Sequence, residues 1–284
     1  MTATIFAVAF GALAAVQQQT DTLITVQPDV RVEINNVAGD ITVRAWDQNQ
    51  VRVVAEHGSN DFIEIDADGN ELSIQAASAM GLGIIDIELS VPTGASLEIQ
   101  APFADISIAG THGSVSAQAV EGDISLEGGD GVIELQAVAG DVSVTGASGN
   151  VEAQSVDGDV TVTDVSGNVQ VQTVDGDIIL LRIASTSVEA ATVDGDIEWD
   201  GDIKDGGSYS FVTHDGDLNI AVQQDANVQI FVASYDADFS TDFPLTVPAG
   251  EHGKRFSLEL GTGSARVELE SFDGTINLRR RGSR

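Results

Sequence analysis

The chain has no cysteine. That excludes a disulfide scaffold, thiolate metal sites, a cysteine nucleophile and a lipid-modified N-terminal cysteine. Aromatic residues make up 5% of the chain, and there are 5 prolines in 284 residues. Basic residues are scarce: 12 Lys+Arg stand against 45 Asp+Glu, for a net charge of −33, and Lys204 and Lys254 are the two lysines. A nucleic-acid binder must neutralise phosphates with a basic footprint, so this chain would repel them. No window sustains the i, i+3, i+4 apolar spacing of an amphipathic helix. Disorder is excluded as well, because 42% of residues are hydrophobic. The length allows one large domain or two small ones.

One apolar run stands apart, Thr2–Val16, T-A-T-I-F-A-V-A-F-G-A-L-A-A-V. It is too short for a membrane-spanning helix and has the length of a signal-peptide core. Ala12-Leu13-Ala14 supplies a small-x-small cleavage pattern and Gln17-Gln18-Gln19 a polar exit, although Met1-Thr2-Ala3 lacks the usual basic residue. The run predicts a signal peptide and leader over residues 1–19. The expected location is therefore extracytoplasmic, in the periplasm or at the cell surface. No second run is long enough to predict a transmembrane span.

What is present is a repeat. Gly-Asp recurs at Gly122-Asp123, Gly140-Asp141, Gly158-Asp159, Gly176-Asp177, Gly195-Asp196 and Gly216-Asp217, in steps of 18, 18, 18, 19 and 21 residues. Ala104-Asp105 extends the frame backwards, and Gly39-Asp40 is an outlying copy. Each repeat has two halves of nine, such as G-D-V-S-V-T-G-A-S (140–148) and G-N-V-E-A-Q-S-V-D (149–157). Apolar residues occupy the third, fifth and eighth place of each half: Val142, Val144, Ala147, Val151, Ala153 and Val156, then Val160, Val162, Val165, Val169, Val171 and Val174. Two-residue alternation of β-branched side chains makes a short strand with one buried face. Glycine permits the turn that follows. Six inward residues per 18 predict a flat coil that cannot bury its face alone and must stack on its neighbours.

The predicted fold is all-β: a parallel β-solenoid of 18-residue coils with a β-rich N-terminal cap. Residues 20–100 are expected to form that cap, 101–224 the repeat array, and 225–284 a C-terminal β closure with a basic tail. Ala67-Asp68-Gly69-Asn70 and Pro92-Thr93-Gly94-Ala95 each sit between alternating runs and read as hairpin turns.

Repeated V-x-G-D-[IV]-x-[VL] units, the start V-E-I-N-N-V-A-G-D-I-T-V (32–43) and the end G-T-G-S-A-R-V-E-L-E-S-F-D-G-T-I-N-L (261–278) resemble the bacterial DUF4097 family of β-strand-repeat proteins, described as candidate adhesins. The resemblance covers about residues 30–280. It implies a β-solenoid of the cell envelope with no established enzymatic activity, and it supplies no catalytic residues.

The acidic turns are the one candidate site. Stacking would align Asp105, Asp123, Asp141, Asp159, Asp177, Asp196 and Asp217, with Asp157, Asp175, Asp194 and Asp215 completing D-G-D. Neighbouring carboxylates ~4.8 Å apart repel by about 0.9 kcal/mol even in water. A cation would relieve that, and Ca²⁺ takes several carboxylate oxygens. Asp123, Asp141, Asp157, Asp159, Asp175, Asp177, Asp194 and Asp196 are the candidate ligands. Against this, Ca²⁺-binding nonapeptides read G-G-x-G-x-D-x-U-x, whereas each half-repeat here has one glycine directly before its Asp. Asp also suits turns by bonding local backbone N–H groups.

Glycosidase chemistry needs two carboxyls in distinct environments, which a uniform ladder does not offer. His57, His112, His214 and His252 are dispersed, and HExxH, GxSxG and P-loop motifs are absent. No catalytic residue and no cofactor other than Ca²⁺ is therefore expected. Trp199 and Tyr209 flank the longer 195–215 coil, where an insertion could form a contact site but where the rings are rather expected to pack on the coil or cover its end. Arg279, Arg280, Arg281 and Arg284 read as a solvated end or as a patch for an acidic partner. The leading functional expectation is a non-catalytic exported envelope or surface protein. It would act as adhesin or scaffold and present polar β faces to a protein or a surface glycan. The rival is a Ca²⁺-dependent binding module.

Overall fold

The computed structural model describes residues 18–79, 81, 83–243 and 254–282. The expected leader lies outside these except for Gln18 and Gln19, which open a strand. Described residues form 26 strands and no helix, so no helix among them is long and apolar enough to cross a membrane. The alternation works as read. Along Val142–Thr145 and Asn150–Gln154 the valine and alanine positions are buried and the polar ones face out. The chain divides into two units, residues 1–140 and 141–284.

In the first unit one sheet runs, in spatial order, Gln18–Thr25, Gln50–His57, Asp86–Pro92, Ile41–Trp46, Ile106–Ala109 and Ile124–Glu127. The other runs Asp61–Asp68, Glu71–Ser78, Arg31–Asn35, Ser96–Gln100, Val115–Gln118 and Val132–Gln136. Pairing is antiparallel at the outer strands and parallel elsewhere. Partners in the regular part are 18 residues apart, as in Leu97 with Val115 and Ile106 with Ile124. Parallel stacking reaches back to Arg31 rather than beginning at 101.

The hairpin around Asp68–Asn70 is present, with Asp61–Asp68 antiparallel to Glu71–Ser78. The one expected at Pro92–Ala95 is not. Asp86–Pro92 belongs to one sheet and Ser96–Gln100 to the other, so this turn is a coil corner. Both strands find parallel partners of matching alternation, Ile41–Trp46 and Val115–Gln118, and a hairpin would cost each of those partners one of its two neighbours.

In the second unit one sheet runs Val142–Thr145, Val160–Thr163, Ile178–Ile183, Ile197–Gly201, Leu218–Val222, Thr275–Arg280 and Asp238–Thr241. The other runs Asn150–Gln154, Val169–Gln172, Ser187–Asp194, Ser208–Asp215, Ala265–Asp273, Val228–Ser234 and Lys254–Leu260. Spatial order departs from chain order at the end. The last coil, Ala265–Arg280, is inserted between the coil of 208–222 and that of 228–241. Arg279 and Arg280 thus lie in a strand with partners on both sides rather than in a free basic tail.

One further expectation needs correction. The eighth residue of the second half-coil points outward: Val138, Val156, Val174 and Val193 are 46–50% exposed. The residue before it turns inward instead. Thr173 and Thr192 are buried and donate their hydroxyls to the carbonyls of Gly158 (2.9 Å) and Gly176 (3.1 Å). A buried hydroxyl with a carbonyl acceptor avoids the desolvation penalty, and it places the corner carbonyl of the preceding coil. Trp199 and Tyr209 pack on the coil, as expected, and form no contact site. With Phe211 they are buried inside the coil, Trp199 meeting the other two rings at 5.7 and 5.2 Å. The Tyr209 hydroxyl donates to Ser185 O and accepts from Lys204 N, both at 2.8 Å. The longer coil accommodates larger rings.

Candidate functional site

The acidic corner follows one plan on the rungs of Gly158, Gly176, Gly195 and Gly216. After Val169–Gln172, Thr173 turns in, Val174 and Asp175 point out, and Gly176 takes φ 154°. Asp177 follows, and Ile178 starts the next strand. A Cβ on Gly176 would lie 2.3 Å from Gly158 O, so only glycine lets successive corners approach this closely.

The aspartate after the glycine has a structural task. Its carboxylate Oδ1 accepts the backbone N–H of the aspartate on the next rung. Asp159 N donates to Asp141 (2.8 Å), Asp177 N to Asp159 (2.8 Å), Asp196 N to Asp177 (2.8 Å), Asp217 N to Asp196 (2.7 Å) and Thr275 N to Asp217 (2.7 Å). In the first unit Asp40 N donates to Asp86 (3.0 Å), Asp105 N to Asp40 (3.4 Å) and Asp123 N to Asp105 (2.9 Å). A hydrogen bond to a charged acceptor contributes ~1.5–3 kcal/mol, which exceeds the ~0.9 kcal/mol of repulsion per neighbour. The ladder is therefore favourable without a cation.

The row before the glycine, Asp157, Asp175 and Asp194, is held in register by parallel bridges and is exposed. Among the described residues no three His, Asp or Glu side chains are grouped so as to hold a metal ion. The eight candidate ligands are strung out along rows rather than gathered around a point. Asp86 was missed because Ile85 stands where the motif has glycine. The signal was the D-I-x-L spacing of Asp86-Ile87-Glu88-Leu89, which matches Asp123-Ile124-Ser125-Leu126.

This bonding carries a prediction. Asp177→Asn keeps an acceptor and is expected to leave the melting midpoint within about a degree, whereas Asp177→Ala removes it at a cost of about 1 kcal/mol. Thermal melts in CaCl₂ and NaCl at equal ionic strength are expected to coincide. A shift specific to millimolar Ca²⁺ would show that the ladder binds the metal.

Ion pairs lie away from this corner. Arg182 grips Asp164 through two bonds of 2.7 and 2.8 Å and holds its carboxyl below the usual range. Arg281 reaches from the last coil to Asp200 and Asp202, each at 2.7 Å. Asp202 is held below its ordinary 3.8, first by its hydrogen bond from Arg281 and then by that from Lys204. A carboxyl whose pKa is depressed in the fold contributes stability that is complete above 3.8 and is lost as pH falls below it. Both partners are substantially exposed, so the contribution stays under ~1 kcal/mol. Arg281→Ala is expected to lower the midpoint by about 2 °C at pH 7. The difference from the wild type should close as pH drops below 3.8; calorimetry at pH 7 and pH 2.5 checks it.

Among solved structures, a protein from Parabacteroides distasonis ATCC 8503, provisionally described as an adhesin, superposes with TM-score 0.56 at 11% identity. That match covers 93% of this chain and 98% of that one. One of the same provisional description from Bacteroides fragilis NCTC 9343 gives TM-score 0.48 at 13% identity, covering 94% and 98%. At such identity the first likeness is one of fold. No curated protein matches the chain. The model of the Toastrack DUF4097 family matches residues 30–279, nearly the whole chain, and the protein belongs to that family.

Proposed function

We propose that this is a non-catalytic protein of the cell envelope or surface, exported through its N-terminal apolar segment. It acts as an adhesin or scaffold whose flat polar faces meet a protein or a surface glycan. The observation that carries the reading is the register of the outward side chains. On one sheet of the second unit Glu152, Gln170, Glu189, Ser210 and Glu268 stand rung on rung. Such a row offers repeated, evenly spaced hydrogen-bonding groups ~4.8 Å apart, which suits a long partner better than a small substrate. The adhesin description of the P. distasonis protein agrees with this. Cell fractionation with intact-mass analysis tests it. The expected result is an extracytoplasmic chain cleaved after Ala14; a cytoplasmic chain retaining Met1–Ala14 would overturn export.

A further inference from the structure

The corner of the second unit carries a row of side chains that the coil does not use. Val156, Val174 and Val193 stand half-exposed on successive rungs. Parallel bridges pair Asp157 with Asp175 and Asp175 with Asp194 beside them, and pairing continues from Asp194 to Asp215 and Asp273. His214 and Phe272 prolong the row as rings stacked 4.7 Å apart at 8°, and Tyr235 stacks on Phe272 at 5.1 Å. At ~4.8 Å per rung the six side chains span about 24 Å. Single exposed apolar residues are ordinary, but a contiguous apolar strip marks an interface.

Charge says what fits it. Asp157, Asp175, Asp194, Asp215 and Asp273 line the strip directly, and Asp159, Asp177, Asp196 and Asp217 lie one glycine beyond. Four of the unit's cations are engaged away from the strip, Arg182 with Asp164, Lys204 with Asp202, Arg266 with Glu268, and Arg281 with Asp200 and Asp202, while Arg255 closes its Tyr235 end by donating to the Tyr235 hydroxyl at 2.6 Å. The corresponding places in the first unit hold Ala38, Phe103, Glu121 and Ala139, so the double acidic row belongs to the second unit. An anionic lipid surface, or the same ridge of a second copy, would set like charges against each other.

We infer that the ridge Val156–Val174–Val193–His214–Phe272–Tyr235 docks a basic amphipathic helix of a partner protein. An α-helix advances 5.4 Å per turn. A stripe at i, i+3/i+4, i+7 therefore meets successive rungs and drifts by only about half a rung over the ridge. Same-face residues of an extended chain recur every ~6.7 Å and fall more than one rung out of step. The length matches about 16 helical residues, whose flanking Lys or Arg reach the two carboxylate rows. The inference holds wherever the protein resides, so its failure and the failure of the export reading are separable.

Fluorescence anisotropy on the full chain tests it. The probe is a labelled 16-residue peptide with leucines along one helical stripe and lysines elsewhere, set against a scrambled peptide of the same composition. The designed peptide is expected to bind at least tenfold more tightly than the scrambled one. Val174→Ser/Val193→Ser, both at half-exposed sites and checked for folding by circular dichroism, should weaken it about tenfold. Asp175→Asn/Asp194→Asn should weaken it and flatten its salt dependence. Asp66→Asn/Asp68→Asn, which removes the same charge from exposed positions of the first unit, should leave it unchanged. Equal affinity for both peptides, or no effect of the valine pair, would reduce the binding to general acidity and overturn the inference. So would a dimer in sedimentation that the valine pair abolishes.

Discussion

Deleting Thr262–Arg284 is expected to unfold everything from about Gln223 onward while leaving 141–222 folded. The deleted coil lies inside the stack. Ala265–Asp273 sits between Ser208–Asp215 and Val228–Ser234, and Thr275–Arg280 between Leu218–Val222 and Asp238–Thr241. It buries Val267, Leu269, Ile276 and Leu278 almost completely. At ~1.5–3 kcal/mol for each such side chain, roughly 6–12 kcal/mol of burial disappears, comparable to the whole stability of an ordinary domain. What remains beyond the gap is chiefly the antiparallel pair Val228–Ser234 and Lys254–Leu260, and an isolated two-stranded ribbon is marginal in water. Coils contact only their neighbours, so the loss stays local. Limited proteolysis with mass spectrometry reads it: cleavage confined to residues beyond 222. A truncated chain as resistant as the full one would show that the last coil is peripheral.

Gly195→Ala is expected to cost about 4 kcal/mol and lower the midpoint by about 10 °C, whereas Gly146→Ala costs about 1 kcal/mol. Both glycines have positive φ, 154° and 72°, so both variants carry backbone strain. They differ in what surrounds them. A Cβ at Gly195 would lie 2.1 Å from Gly176 O and 2.6 Å from Gly176 C, while at Gly146 nothing lies within 4 Å. Backbone cannot yield as a flexible side chain can. The rung must shift, stretching Gly195 N to Asp215 O (2.9 Å) and Asp196 N to Asp177 Oδ1 (2.8 Å). Parallel calorimetry of the two variants decides it; equal losses would mean that strain alone matters and that the corners are not in contact.

The 18-residue period, the inward β-branched faces and the line of aspartates were legible because each is a local pattern repeated many times. Parity at the corner was not. Thr173-Val174-Asp175 reads equally well with either neighbour inward, and only the carbonyl of Gly158 in the adjacent coil selects the threonine. The insertion of Ala265–Arg280 into the stack was hidden for a similar reason. Strand order depends on which faces meet, and the repeat is nearly the same on every coil. That Trp199 packs on the coil was legible; its buried pairing with Leu180 and Ile220 is a property of register and was not. For the candidate site, the aspartate rows could be read from Gly-Asp spacing. The task of the second row, accepting a backbone N–H from the next rung, needs the stacked geometry. The apolar ridge beside it was assigned to the core.

The absence of cysteine allows the stacking itself to be measured against no background. Val174 and Val193 lie on adjacent rungs, beside the bridged pair Asp175 and Asp194. Their Cα atoms are therefore ~4.8 Å apart, within disulfide range, whereas Val156 and Val193 are two rungs apart at ~9.6 Å and out of range. Oxidation of Val174→Cys/Val193→Cys should give an intramolecular disulfide in high yield, and Val156→Cys/Val193→Cys should stay reduced. Cross-linking of both pairs alike, or of the distant pair alone, would contradict in-register coils and with them the ridge.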